Sequence, residues 1–300
     1  MSHPPHVRIT PARRGRIAAA ATVAAVAAIM LLASPATAAA PSGGYVALGD
    51  SYTSGPLIPT QVDPNCTRSN KDYPSLVSRA IGSSSFTDVS CGGATTTDMA
   101  SAGSGELGAA VPPQLNALKP TTALVTLGIG GNDIGFSGII ETCAEDSLHN
   151  PLGSPCKDEF DSGGVDQLLA RIYATAPKVA TVLQQIHAFS PNALVVVVGY
   201  PDILPTSGVG CWPAVPISWG DVPYMRSVEL NLNAMLASTA AANGASYVDT
   251  YTPTIGHDAC KSKATRWVEG LVPASSAAPF HPNALGEQGM ANAVTAALNS

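Results

Sequence analysis

Short apolar runs recur along the chain, separated by longer stretches in which apolar residues return every three or four positions. Residues 45–48, 123–127 and 194–198 are almost wholly apolar and rich in Val and Leu. Strands of that kind belong in a parallel sheet covered on both faces. Residues 86–90 alternate as a second strand, and 246–249 form a fifth. Helical spacing covers 73–81, ending at Gly82 with Pro74 in its first turn. It covers 166–188, where Pro177 predicts a bend, and 224–242, with Met225, Val228, Leu232, Met235 and Leu236 on one stripe. Residues 285–298 close the chain as a final helix. Strands alternating with helices predict a three-layer α/β/α domain around a parallel five-stranded sheet. Two segments rich in Pro, Gly and Ser, 135–164 and 199–223, read as insertions over one edge of that sheet.

Before residue 41 the pattern is different. Arg8, Arg13, Arg14 and Arg16 flank or precede an uncharged, alanine-rich run over 17–32, and Ala36-Thr37-Ala38 is an A-x-A site. This predicts a secretory signal peptide over 1–38, cleaved near 38–40, and a single domain over 41–300. The run is short for a membrane span, so no stable membrane insertion is expected. The Arg13-Arg14 pair is compatible with twin-arginine export, but the apolar residues usual just behind such a pair are missing.

Removing that segment changes the charge picture. The chain has 15 basic and 21 acidic side chains; without the four leader arginines 11 basic residues remain, a net charge of −10. Such acidity argues against nucleic acid or an anionic membrane as an electrostatic partner. All six cysteines (Cys66, Cys91, Cys143, Cys156, Cys211 and Cys260) follow the leader, an even count that in an exported chain predicts disulfides. The sequence has no C-x-x-C pair and no close Cys/His cluster, so neither metal nor organic cofactor is implied.

The candidate chemistry sits where the strands end. Gly49-Asp50-Ser51 follows the first strand, Gly92-Gly93 the second, and Gly130-Gly131-Asn132-Asp133 the third. Ligands of open α/β sheets bind at the carboxyl ends of the strands, so these turns converge on one edge. A nucleophilic serine needs a base for its proton and donors for the oxyanion formed on the substrate carbonyl. Ser51 is the candidate nucleophile, and its own N–H, a glycine N–H of the second turn and the Asn132 amide are candidate oxyanion donors. His281, in an extended segment before the final helix, is the candidate base; His149, His187 and His257 read as surface or structural residues. Thr53 stands where a G-x-S-x-G elbow needs its last glycine, which argues against an ordinary α/β-hydrolase. Asp50 and Asp133 read as local turn acceptors. Leu57, Ile58, Ile134, Phe136 and Trp267 are candidate apolar walls.

Together these motifs resemble the GDSL, or SGNH, family of secreted serine hydrolases, and in particular its actinobacterial esterases and lipases with three disulfides. The resemblance runs from residue 45 to the final helix. It implies the flavodoxin-like SGNH-hydrolase fold and selects Gly93 over Gly92. It also implies the sequential pairing Cys66–Cys91, Cys143–Cys156 and Cys211–Cys260. One position departs from the family: the aspartate usual three residues before the histidine is Ala278 here. A backbone carbonyl, of Ala278 or Pro279, is then expected to accept the His281 ring N–H, as in some actinobacterial members. The implied function is a secreted, monomeric esterase or lipase that hydrolyses lipids or small acyl esters through an acyl-enzyme on Ser51. A phospholipase A or a carbohydrate acetyl esterase is the alternative within enzymes, and the same site could pass its acyl group to an alcohol. Outside enzymes, a secreted binding protein on the same fold is the rival.

Overall fold

Alternate residues of the first strand, β1 (Gly44–Gly49), face two different apolar layers. The computed structural model describes residues 1–2 and 43–300, so the expected leader lies outside the described residues. Tyr45 and Ala47 pack with Tyr73 and Val77 of helix α2 (Tyr73–Ile81) and with Met290 and Val294 of α8 (Ala284–Leu298). Val46 and Leu48 face the other way, into the cluster of Leu183 and Ile186 from α6 (Gln167–Phe189) and Leu232 and Leu236 from α7 (Val222–Ala242). Burial on both faces is the reason the strand sequences are apolar throughout. Each such side chain contributes about 1.5–3 kcal/mol on leaving water.

β2 (Ser85–Asp88), β3 (Thr122–Gly128), β4 (Leu194–Val198) and β5 (Ser246–Val248) complete a sheet of order β2-β1-β3-β4-β5. Every pairing in it is parallel. From β1 the chain moves outward to β2 and then returns to the opposite side as β3. That reversal opens a crevice at the carboxyl ends of β1 and β3, the usual ligand position in such sheets.

The helix ends follow local chemistry. Asp72, Asp166 and Asn283 cap α2, α6 and α8 by accepting from backbone N–H groups of the first turn, and Gly82 ends α2 in the left-handed conformation. α6 runs unbroken through Pro177 from Gln167 to Phe189. The segment 135–164 departs from the irregular insertion expected of it, because it contains α4 (Phe136–His149) and α5 (Pro155–Phe160). Ile139, Ile140, Cys143 and Ser147 form the buried face of α4, a short stripe interrupted by small and polar residues. Disulfides join Cys66 to Cys91, Cys143 to Cys156 and Cys211 to Cys260, the second of them tying α4 to α5.

Candidate active site

Gly49 ends β1 in a space that admits no side chain. A Cβ there would lie 2.2 Å from the Thr53 hydroxyl and 2.7 Å from the Gly128 carbonyl oxygen. Gln114, buried and distant in sequence, clasps Gly49 by donating to its carbonyl and accepting from its N–H, both at 2.8 Å. Asp50 then caps the single-turn helix α1 (Ser51–Ser54), accepting from the Tyr52 N–H at 2.9 Å. Capping is therefore done by Asp50, and Ser51, half-buried as the first helical residue, keeps its hydroxyl free of that role. With only one turn behind it, the helix dipole adds little at Ser51.

The Ser51 hydroxyl meets the base directly. His281 Nε2 lies 2.7 Å from Ser51 Oγ, and His281 Nδ1 lies 2.7 Å from the Pro279 carbonyl oxygen. A carbonyl only accepts, so Nδ1 carries the proton and Nε2 is left to accept one from the serine. Of the two carbonyls expected to orient the ring, Pro279 does so. The Ala278 carbonyl instead accepts the backbone N–H of His281 at 3.2 Å.

Among the described residues no carboxylate bonds to the His281 ring. Asp249 accepts from the N–H groups of Tyr251 and Thr252, and Asp258 from the Cys260 N–H beside an ion pair with Lys261. Glu269 is fully buried with Asn283, the Ala274 N–H and Arg266 around its carboxylate. Burial opposes its ionisation, but those three partners outweigh it and hold the carboxyl below its usual range. What Glu269 gives His281 is backbone: its N–H donates to the His281 carbonyl at 3.0 Å. Asp249→Asn, Asp258→Asn and Glu269→Gln are each expected to lower kcat by less than ~10-fold, against the ~10⁴ cost of neutralising a triad acid. Steady-state kinetics on folded variants checks this, and a loss of thousands-fold at any of them would place a carboxylate behind the histidine.

Burial lowers the His281 pKa below its ordinary value, and the bond to Pro279 opposes that shift without cancelling it. A protonated imidazole cannot take the serine proton. Activity is therefore present above the folded-state pKa and lost as pH falls through it. An NMR titration of His281 is expected to give a pKa below the ordinary value of about 6.5, with the acid limb of kcat/KM following it. A value above 6.5 would contradict the desolvated setting.

The oxyanion candidates divide into donors with and without partners. Gly92 donates its N–H to the Cys66 carbonyl at 2.9 Å, whereas the N–H groups of Ser51 and Gly93 have no acceptor among the described residues. Gly93 has φ 76°, a left-handed conformation that suits glycine. Asn132 donates one amide N–H to the Ala94 carbonyl at 2.9 Å, leaving the other available. Asp133 is more than a local acceptor. It takes the N–H of Thr96 at 2.9 Å and the Thr96 hydroxyl at 2.6 Å, stitching the Asn132 turn to helix α3 (Thr96–Ala100), which follows Gly93. Asp50 also reaches far: its second oxygen accepts from the Tyr200 hydroxyl at 2.6 Å, and that hydroxyl accepts from the Gly131 N–H at 2.8 Å. Burial raises the Asp50 pKa to about 7, against the lowering effect of Tyr200 and the Tyr52 N–H.

Ser51, Asn132 and His281 share one pocket with apolar walls. Ile134, Phe136, Ile139 and Ile140 come from the turn after β3 and from α4; Ile203 and Leu204 follow β4; Met225, Val228 and Leu232 come from α7. Gly93 borders an adjoining, more polar depression with Asp98, Ser104 and Glu106. Of the expected walls, Ile134 and Phe136 line the pocket, whereas Leu57, Ile58 and Trp267 do not. Trp267 instead stacks on His257 at 3.9 Å, and His187 meets the Asn243 carbonyl at 3.0 Å. Among the described residues no group of three or more His, Cys, Asp or Glu side chains is placed to hold a metal ion. None of the described helices is long and apolar enough to cross a membrane.

A parallel three-layer α/β sheet carrying a serine–histidine pair at its carboxyl edge defines a hydrolase of the SGNH type. Residues 47–288 match the model of the GDSL-like lipase/acylhydrolase family. Over 265 residues the chain is 42% identical to Lipase 2 of Streptomyces coelicolor, covering 86% of each. It is 31% identical to an esterase of Streptomyces scabiei, covering 76% of this chain and 75% of the relative. The crystal structure of phospholipase A1 from Streptomyces albidoflavus NA297 superposes with a TM-score of 0.67 at 29% identity, over 86% of this chain and all of that one. An extracellular lipase of Streptomyces rimosus gives 0.63 at 28% identity, over 86% of this chain and 100% of that one. The chain belongs to the GDSL-like lipase/acylhydrolase family and is by class a carboxylic ester hydrolase.

Proposed function

We propose that the chain is an exported serine lipase or esterase that cleaves esters of extended apolar acyl chains. The observation that carries this reading is the Ser51–His281–Pro279 relay opening onto a pocket walled by Ile, Leu, Met and Phe side chains. Ser51 Oγ attacks the ester carbonyl carbon as its proton passes to His281 Nε2. The oxyanion is held by the N–H groups of Ser51 and Gly93 and by the free amide N–H of Asn132. The imidazolium returns its proton to the leaving alkoxide, and the acyl chain stays on Ser51. Water then attacks the acyl-enzyme carbonyl and loses a proton to His281, and as the bond to Ser51 Oγ breaks and the acid leaves, the imidazolium returns that proton to Oγ. A neutral carbonyl behind the imidazolium stabilises it less than a carboxylate would, yet fixes the tautomer equally well.

The disulfides and the acidic surface support an extracellular site of action, with 1–38 as the removed leader and 41–300 as one domain. The apolar lining of the pocket favours acyl chains longer than acetyl, because each buried methylene adds about 0.8 kcal/mol. Purified protein is expected to hydrolyse p-nitrophenyl esters with kcat/KM rising from acetate toward medium and long chains. Activity highest on acetate and falling with length would overturn the acyl-pocket assignment. The likeness to phospholipase A1 adds a second arm: release of fatty acid from phosphatidylcholine, against release from a triacylglycerol, decides which head group the enzyme accepts.

A further inference from the structure

We propose that Tyr52 is the positioning residue for the catalytic histidine, taking over through the backbone a task that a triad aspartate performs with its side chain. The inference rests on the reading of Ser51 and His281 as nucleophile and base. Tyr52 follows the nucleophile directly and is buried at 6% exposure. Its hydroxyl, 228 residues away in sequence, donates to the Phe280 carbonyl at 2.6 Å, and its ring packs against the His281 imidazole at 4.7 Å and 33°. Edge-on contacts with Tyr200 at 5.0 Å and Phe136 at 6.2 Å fix the ring from two further sides.

Phe280 is the hinge of this arrangement. It lies between Pro279, whose carbonyl accepts the imidazole N–H, and His281 itself. Its φ of 61° is a left-handed conformation that a bulky residue adopts only under constraint. That conformation turns the His281 ring back onto the preceding Pro279 carbonyl. Three bonds hold the strained residue: its N–H to the Glu269 carbonyl at 3.1 Å, the Glu269 N–H to the His281 carbonyl at 3.0 Å, and the Tyr52 hydroxyl to its own carbonyl. The first two tie the segment to the neighbouring loop at Glu269, next to the isolated bridge between Val268 and Pro282. The third ties it to the nucleophile turn itself, whereas the Ala278 N–H reaches the Pro56 carbonyl just beyond that turn at 3.1 Å, so Tyr52 is the side chain that helps set the distance between Ser51 Oγ and His281 Nε2. An aspartate reaches a histidine directly; a carbonyl is part of the chain and stays in place only if the chain does.

Tyr52→Phe keeps the ring and removes the one bond. The expected result is a kcat lowered about tenfold with KM within twofold. A positioning role makes a second demand. The Pro279 bond favours the protonated imidazole, so loosening it lowers the His281 pKa further, and the NMR titration and the acid limb of kcat/KM both move to lower pH. The other titratable groups of the pocket, Asp50, Tyr200 and Glu229, are retained in this variant. Tyr45→Phe removes another buried tyrosine hydroxyl, bonded to Thr126 on the far face of the sheet, and controls for a general loss of packing. Its kcat and His281 pKa are expected to match those of the parent. Tyr52→Phe with kcat within twofold of the parent, or with a lower kcat but an unmoved His281 pKa, would overturn the proposal. Neither result bears on Ser51, whose role is tested separately by its own substitution.

Discussion

Ser51→Ala is expected to abolish ester hydrolysis in a protein that still folds. Losing a nucleophile of this kind costs about 10⁶ in kcat in related chemistry. Ser51 is half-buried and its hydroxyl has one side-chain partner, His281, so removing it leaves the caps and clasps of the β1 turn intact. His281→Ala should be nearly as damaging, because among the described residues no other side chain bonds to Ser51 Oγ. The double variant should be no worse than either single, since the two groups act as one unit. Purified variants with the parent circular dichroism and melting temperature, assayed on one p-nitrophenyl ester, measure this. Retention of more than a small fraction of activity in Ser51→Ala would remove it as nucleophile.

Asn132→Ala is expected to lower kcat by about 10²–10³, the usual cost of one oxyanion donor, with KM changing only a few-fold. The fall should lie toward the larger end. Asn132 also donates to the Ala94 carbonyl, so its loss loosens the turn that presents Gly93, the glycine proposed as a second oxyanion donor. An effect mainly on KM would mean that Asn132 binds the ground state and that the oxyanion is held elsewhere.

The sheet was legible because its strands are buried on both faces and carry that in their composition. Residues 194–198 and 73–81 coincide with β4 and α2 to the residue. α4 was hidden for a physical reason. Gly135, Gly138 and the prolines at 151 and 155 mimic a loop, while the buried stripe of the helix is only Ile139, Ile140, Cys143 and Ser147. Pro177 did not hide α6, whose helical spacing continues on both sides of it from Gln167 to Phe189.

The site divides in the same manner. Ser51, Asn132 and His281 were visible because each sits in a short motif beside a strand or helix end. The residues that hold them were not. Gln114 grips Gly49, Tyr200 links Asp50 to Gly131, Asp133 bonds Thr96, and Tyr52 reaches Phe280, all across 37 to 228 positions of sequence. A single buried polar side chain carries no periodicity, so such pairings leave no trace in a linear pattern. The choice of Pro279 over Ala278 is of the same kind, because it depends on the left-handed turn at Phe280.

The proposed chemistry needs a serine made reactive by a histidine that a backbone carbonyl orients. A fluorophosphonate probe, followed by peptide mass spectrometry, tests it directly. The expected result is one adduct per chain, carried on Ser51, forming rapidly above the His281 pKa and at least a thousandfold more slowly in His281→Ala. Labelling at another serine, or labelling of Ser51 at an undiminished rate without His281, would contradict it.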